Sequence, residues 1–367
     1  MRKYFFTILI VFGLITSCNE NLDSIDTGPK FDRASLLENW FANHINPSYN
    51  NFSNELSQLS SKVVDAKNNG VNETNLEELR NSFQQTYKAW QYVEMFNIGK
   101  AEEIYYSSTM NIYPVNTARV ESNINTDNYD LNNANNFAAQ GLPTMGYLLY
   151  GVGSSKSEII DKLNDTSYIN YLMSITNQMT INTSAIINDW ETYKSEFLSS
   201  TDNTATSAVN MMVNDFIYYY EKGFRANKFG IPGGVFSSTP IPENLESYFS
   251  GSSKDLSLEA MSAIKALFVG RHALNGTTYN GSSLKSIILE LDQNLGQNNL
   301  ATRITDKLDV AIEKINDLDE SFYNQIQNDN NKFLQTYDAI QEVVVLLKVD
   351  MLQLLSINVD YVDADGD

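Results

Sequence analysis

From Leu37 to Leu355 the apolar residues of this chain return every three or four positions, and that period belongs to the α-helix. Leu37, Trp40, Phe41, His44 and Ile45 share one face, and Phe52, Leu56, Leu59 and Val63 continue it beyond Pro47, where the missing N–H predicts a kink or break. Thr74 and Glu77 form a capping-box signature ahead of Leu76, Leu79, Phe83, Tyr87, Trp90 and Glu94. Ile159, Leu163, Tyr168, Leu172, Ile175, Ile186, Trp190, Tyr193 and Phe197 extend the pattern, and helices are predicted over 204–224, 253–270, 284–295, 300–326 and 333–355. Ser252 and Asp255 resemble a second capping box, and Gly270 closes that helix. No run of alternating residues bounded by hairpin turns competes, so the predicted fold class is all-α.

Two stretches lose the period. Residues 99–136 are dense in Asn and Asp and are expected to form a long irregular connection with short turns, and 230–242 is a Gly/Pro/Ser loop. One internal similarity links Phe83, Gln85, Thr86, Tyr87, Ala89 and Gln91 to Phe333, Gln335, Thr336, Tyr337, Ala339 and Gln341. Leu148–Gly151 against Leu267–Gly270 has a different offset, so permuted halves and chance agreement both stay open.

Charge and side-chain chemistry restrict function. With 25 Lys+Arg against 45 Asp+Glu the net charge is −20, and no basic stripe exists that could neutralise phosphates, so nucleic acid is excluded as a partner. One cysteine and two histidines leave no intrachain disulfide, Cys/His zinc site or HExxH helix.

The cysteine belongs to the N-terminus. Arg2 and Lys3 precede an apolar stretch, Tyr4 to Ile15, long enough for a signal peptide and too short to span a bilayer. Thr16-Ser17-Cys18 then looks like a lipobox, so residues 1–17 are expected to be removed and Cys18 acylated, with 18–30 as a tether. Two or three acyl chains hold a soluble domain at a membrane. Asn19, in place of an Asp, favours the outer membrane.

Several segments together resemble the imelysin family of bacterial envelope proteins. They are Tyr113–Arg119, Gln140–Pro143, Lys228–Gly234, Asn244–Gly251 and the stretches Leu347–Met351 and Tyr361–Asp367. The resemblance covers the chain from about Asp32 onward. It implies two packed helical-bundle domains, an N-terminal bundle over 31–200 and a C-terminal bundle over 201–367, with a site at their junction. It also implies either peptidase activity or a role in iron regulation and uptake. The family signature is Gly-x-His-x-x-Glu. Here Gly141 is kept, Pro143 stands at the histidine position and Gly146 at the glutamate position.

Pro and Gly offer neither a lone pair nor a carboxylate, so the residues for metal binding or proton transfer are missing. They can shape backbone instead, a proline near a helix start and a glycine one turn later permitting close approach. A ligand is expected where Tyr113, Asn116, Arg119 and Glu121 meet Pro143, Gly146 and Tyr147 and the loop bearing Lys228, Gly230 and Pro232. Lys228 and Arg119 would favour an anion there, while Glu121 and nearby phenols would favour a cation. Arg119 and Glu121 can equally form a local salt bridge.

His44 reads as a packed histidine and His272 as a helix cap. Tyr218, Tyr219 and Tyr220 read as packing residues, although phenols and carboxylates together suit a hard cation. Asp363, Asp365 and Asp367 resemble the start of a calcium loop without its closing glutamate. The residues require no cofactor; iron or calcium is compatible with them. The function expected is that of a non-catalytic, lipid-anchored binding protein associated with uptake of iron or another ligand, with the membrane and envelope transport proteins as partners. The competing readings are a peptidase with an unrecognised site and a structural lipoprotein with a vestigial one.

Overall fold

The computed structural model describes residues 30–295 and 299–360. The lipidation candidate Cys18 and the acidic candidates Asp363, Asp365 and Asp367 lie outside them. The described residues are helical nearly throughout, and their only β-pairing is an isolated antiparallel bridge between Arg271 and Thr278. The all-α prediction holds.

Helix α1 (Arg33–Trp40) begins at Asp32, whose carboxylate accepts from the Ser35 N–H at 2.9 Å. The chain does not break at Pro47. It widens to π geometry over Phe41–Ile45 and runs on as α2 (Asn46–Asn69) with the proline in its first turn. The Asn43 carbonyl, which Pro47 cannot serve, instead accepts from the Ala273 N–H at 2.9 Å. Helix α3 (Glu73–Trp90) starts earlier than expected because Asn72, paired reciprocally with Asn75, is its cap, and not Thr74.

Residues 99–136 are not one irregular connection. They fold as α4 (Lys100–Glu103), α5 (Tyr106–Met110) and α6 (Thr117–Thr126), and a 3₁₀ turn follows at Ala134–Ala139. Helix α7 (Gly141–Gly146) passes directly into a π segment at Tyr147–Gly151. Arg80 donates from Nε and Nη2 to the Leu149 carbonyl in that segment, and its guanidinium lies 4.5 Å from the Tyr150 ring centroid. Helices α8 (Lys156–Leu163) and α9 (Thr166–Ser199) follow.

Helix α10 (Ala208–Tyr218) continues as a twelve-residue π segment, Tyr219–Gly230, into the single turn α11 (Ile231–Gly233). Helices α12 (Ser253–Val269), α13 (Leu284–Leu295), α14 (Leu300–Asn316) and α15 (Phe322–Val345) come next, and a π segment at Leu346–Met351 leads to α16 (Leu352–Leu355). Ser252 precedes α12 without capping it; its hydroxyl joins those of Ser247 and Ser250. Lys254 of α12 does cap another helix, donating to the Asn316 and Leu318 carbonyls at the end of α14.

Helix α2 packs between α3 and α9, and α12, α14, α15 and the Tyr219–Gly230 segment form a second pack. The two meet where α3 touches α12 and α1 touches α10, over one continuous apolar core. Phe52, Trp90 and Tyr106 pack tilted or edge-on in the first pack, as do Phe224, Phe229, Phe322 and Phe333 along the second. The similar segments of α3 and α15 do similar work. Thr86 donates to Ser82 and, across to α2, to Glu55, while Thr336 donates to Lys332 and, across to α14, to Lys314.

Candidate functional site

Helix α7 brings the signature segment to the junction. Gly141 adopts φ +75°, and a Cβ on it would lie 2.3 Å from the Met110 carbonyl oxygen, so this glycine is required by close approach of the α5 backbone. Pro143 falls in the first turn, where no N–H is missed. Gly146 is ordinary helix, and a Cβ there would meet only the Phe83 ring at 3.4 Å. The close approach expected at Gly146 therefore occurs at Gly141.

Pro143 and Gly146 line a small apolar pocket of about 120 Å³, together with Tyr87, Tyr113, Leu245 and Phe249. Beneath it lies a buried polar network drawn from four chain segments. The Tyr87 hydroxyl donates to Asn111 Oδ1 at 2.6 Å, and Asn111 Nδ2 donates to Glu94 Oε1 at 2.7 Å and to Glu246 Oε1 at 2.9 Å. Gln91 Nε2 donates to Glu246 Oε1 at 3.0 Å, and Lys228 Nζ donates to Gln91 Oε1 at 2.9 Å and to Glu246 Oε2. Lys228 also lies 3.8 Å from Glu94 Oε2. Burial holds the Glu94 carboxyl above the usual carboxylate range; Lys228 opposes that shift and Glu246 adds to it.

The expected site residues divide. Tyr113, Pro143 and Gly146 meet at the small pocket. Tyr147 and Glu121 meet each other beside it, the Tyr147 hydroxyl donating to Glu121 at 2.7 Å and Tyr168 donating to its other oxygen at 2.5 Å. Arg119 and Glu121 form no salt bridge: Glu121 is occupied by the two phenols, and Arg119 is exposed on α6 and lines neither junction cavity. Asn116 is the α6 cap, accepting from the Arg119 N–H. Gly230 and Pro232 pack in the second bundle, where a Cβ on Gly230 would strike Phe236. Lys228 is buried with its charge engaged by Glu246, so it does not make the junction attractive to anions.

On the other side of the network is a larger cavity of about 410 Å³ between the turn after α3, α4–α5 and the Asp215–Asn227 stretch. Glu94, Asn111, Asp215 and Tyr219 line it. Tyr219 is 5% exposed with its hydroxyl against the Glu94 carboxylate, and Asp215 Oδ2 is buried without a hydrogen-bond partner. Burial, then the Asp360 and Glu102 charges, push the Asp215 carboxyl up to about 8. Burial, then Glu94 and Glu246, push the Tyr219 phenol well above its ordinary value. Periodicity offered one signal for this cavity, an acid at Glu94 on the otherwise apolar face of α3; Asp215 and Tyr219 lay within a helical pattern that reads as packing.

His44 is the packed histidine expected: it is 2% exposed, and burial and then His272 lower its pKa to about 3. His272 does not cap α12. Gly270 ends that helix, and His272 Nδ1 accepts from the Leu274 N–H at 3.2 Å within the following loop. Of the three consecutive tyrosines, Tyr220 is fully buried and donates to the Ile340 carbonyl, whereas Tyr218 is 46% exposed.

The Imelysin family model matches residues 45–349. Among solved structures, the fold is similar to that of a Parabacteroides distasonis protein provisionally described as an iron-regulated protein A precursor. The TM-score is 0.73 at 16% identity, over 89% of this chain and 96% of that one. It is also similar to an imelysin-like protein from Psychrobacter arcticum, with a TM-score of 0.68 at 17% identity over 91% of this chain and 99% of that one. No curated protein matches the sequence.

Proposed function

The chain belongs to the imelysin family, and from that premise we propose that it is a lipid-anchored, non-catalytic binding protein of the bacterial cell envelope. The observation that carries this reading is the chemistry of the signature segment. Pro143 and Gly146 contribute an apolar wall and backbone at the two positions where the family signature has an imidazole and a carboxylate. The charged groups beneath them are committed to one another: Lys228 neutralises Glu246, and Gln91 and Asn111 hold the carboxylate in place. A hydrolytic site needs a positioned base or metal-activated water next to room for the scissile bond, and a pocket of about 120 Å³ without such a group supplies neither. A cavity of about 410 Å³ lined by Asp215, whose Oδ2 has no hydrogen-bond partner, is by contrast of ligand size.

Attachment through Cys18 places the binding domain at a membrane, and no helix among the described residues is long and apolar enough to cross one. The description of the Parabacteroides distasonis protein as iron-regulated supports a place in uptake linked to iron supply, alongside envelope transport proteins. The test is a peptidase assay on homogeneous, detergent-purified protein, with and without added zinc or iron. No cleavage above a buffer blank is expected; metal-dependent, chelator-sensitive turnover would overturn the reading.

A further inference from the structure

The larger cavity has its charges largely matched. Glu94 lies 3.8 Å from Lys228 and accepts from Asn111, and the lysine in the wall, Lys222, stands 3.5 Å from Glu221. Burial holds the Asp215 carboxyl up at about 8, so at neutral pH it is an uncharged group that both donates and accepts. What the cavity leaves open is neutral. Among the described residues, the side chains of Asn97, Ser107, Ser108 and Asn227 line it without a hydrogen-bond partner in the chain. They reach it from three segments, the turn after α3, helix α5 and the π segment Tyr219–Gly230. Each of these amides and hydroxyls can donate and accept at once.

Two tyrosine rings stand in the same wall. Tyr105 is 67% exposed and Tyr218 46%, although an aromatic ring ordinarily gains by burial. Tyr105 also has φ +53°, in the left-handed region that favours glycine, at the point where α4 ends and α5 begins. Glycine or asparagine would make that turn at less cost, so the turn itself does not call for a tyrosine. The ring centroid lies 6.5 Å from that of Phe137, and most of the ring is left to solvent.

We infer that this cavity binds a neutral carbohydrate, with one face of a sugar ring laid on Tyr105 and its hydroxyls bonded to Asn97, Ser107, Ser108 and Asn227. The inference rests on the binding-protein reading and names its ligand class. A sugar ring pairs an apolar C–H face with a rim of hydroxyls that donate and accept, which matches an aromatic wall set among neutral polar side chains. An anion would meet Glu94 and the exposed Glu102, and a cation would meet Lys222 in the wall and Lys228 beside Glu94. A wholly apolar ligand would take water from four polar side chains and return no hydrogen bond.

The test is saturation-transfer NMR on the protein purified in a detergent without a sugar headgroup. The probes are glucose, galactose, mannose, N-acetylglucosamine, maltose and cellobiose, with putrescine and citrate as charged comparisons. At least one sugar is expected to receive saturation, strongest at the C–H protons of one ring face, and to bind at one per chain by calorimetry. Tyr105→Ala should weaken that binding tenfold or more, Tyr105→Phe should retain it, and Asn227→Ala should weaken it several-fold. All three variants should melt as the natural protein does, because both side chains are exposed. No saturation of any of the six sugars, or an unchanged affinity in Tyr105→Ala, would overturn the inference. Tighter binding of putrescine or citrate than of every sugar would overturn the ligand class and leave the binding reading standing; peptidase turnover would remove the binding reading itself.

Discussion

Asp215 shows how a single side chain records a site. Its carboxyl is held near a pKa of about 8, chiefly by burial and then by Asp360 and Glu102, and Tyr49 and Tyr193 lie within reach of the same charge. The folded pKa is above the ordinary aspartate value of 3.8, so below about pH 4 both folded and unfolded chains hold this proton. Between about pH 4 and 8 only the folded chain holds it. The contribution of Asp215 to stability is therefore full in acid and is lost as pH rises through 8. Asp215→Asn should be more stable than the natural protein at pH 8, by on the order of 2–4 kcal/mol in urea unfolding, with the difference vanishing toward pH 4. A difference independent of pH, or of opposite sign, would contradict the assignment. Nothing in the sequence marks Asp215, since an acid inside a helical run is usually on the solvated face. It is the folded chain that brings Asp215 into one cavity with Glu102 and near Asp360.

At the scale of elements, α7 separates two glycines that look alike in the sequence. Gly141 has φ +75° and no room beside Met110, whereas Gly146 has helical angles and room beside Phe83. Gly141→Ala should destabilise by about 1–3 kcal/mol, while Gly146→Ala should stabilise by about 0.5–1 kcal/mol through the unfolded chain. Chemical denaturation of both variants checks this, and the reverse order would contradict the close approach of Gly141 to the α5 backbone. The long helices were legible because their apolar faces repeat over several turns. Helices α4 and α5, of four and five residues, are too short to carry a period and merged into an apparent loop. The π segments were missed for a related reason: a 3.6-residue search has no template for i→i+5 bonding, so Tyr219–Gly230 read as helix end and loop. Pro47 announced a break that never came, because a partner from the Ala273 loop serves the carbonyl it leaves open.

Across the whole molecule, the helical packs share one apolar core, and one polar exception to that core is the network of Gln91, Asn111, Lys228, Glu94 and Glu246 at their junction. Its members come from segments up to 155 residues apart, so Lys228, Gln91 and Glu246 each stand in a stretch that the sequence singles out while nothing in the sequence pairs them. The small pocket was legible through Tyr113, Pro143 and Gly146; the larger cavity, formed by turns that carry no motif, was not. The proposed role, an anchored receptor for a small ligand, is tested most directly by native mass spectrometry of protein released gently from membranes. The expected result is a chain beginning at an acylated Cys18 that carries one non-covalent small molecule, small enough for a cavity of about 410 Å³ and shed on collisional activation. A bare chain under the mildest conditions, or a processed chain without lipid, would contradict it.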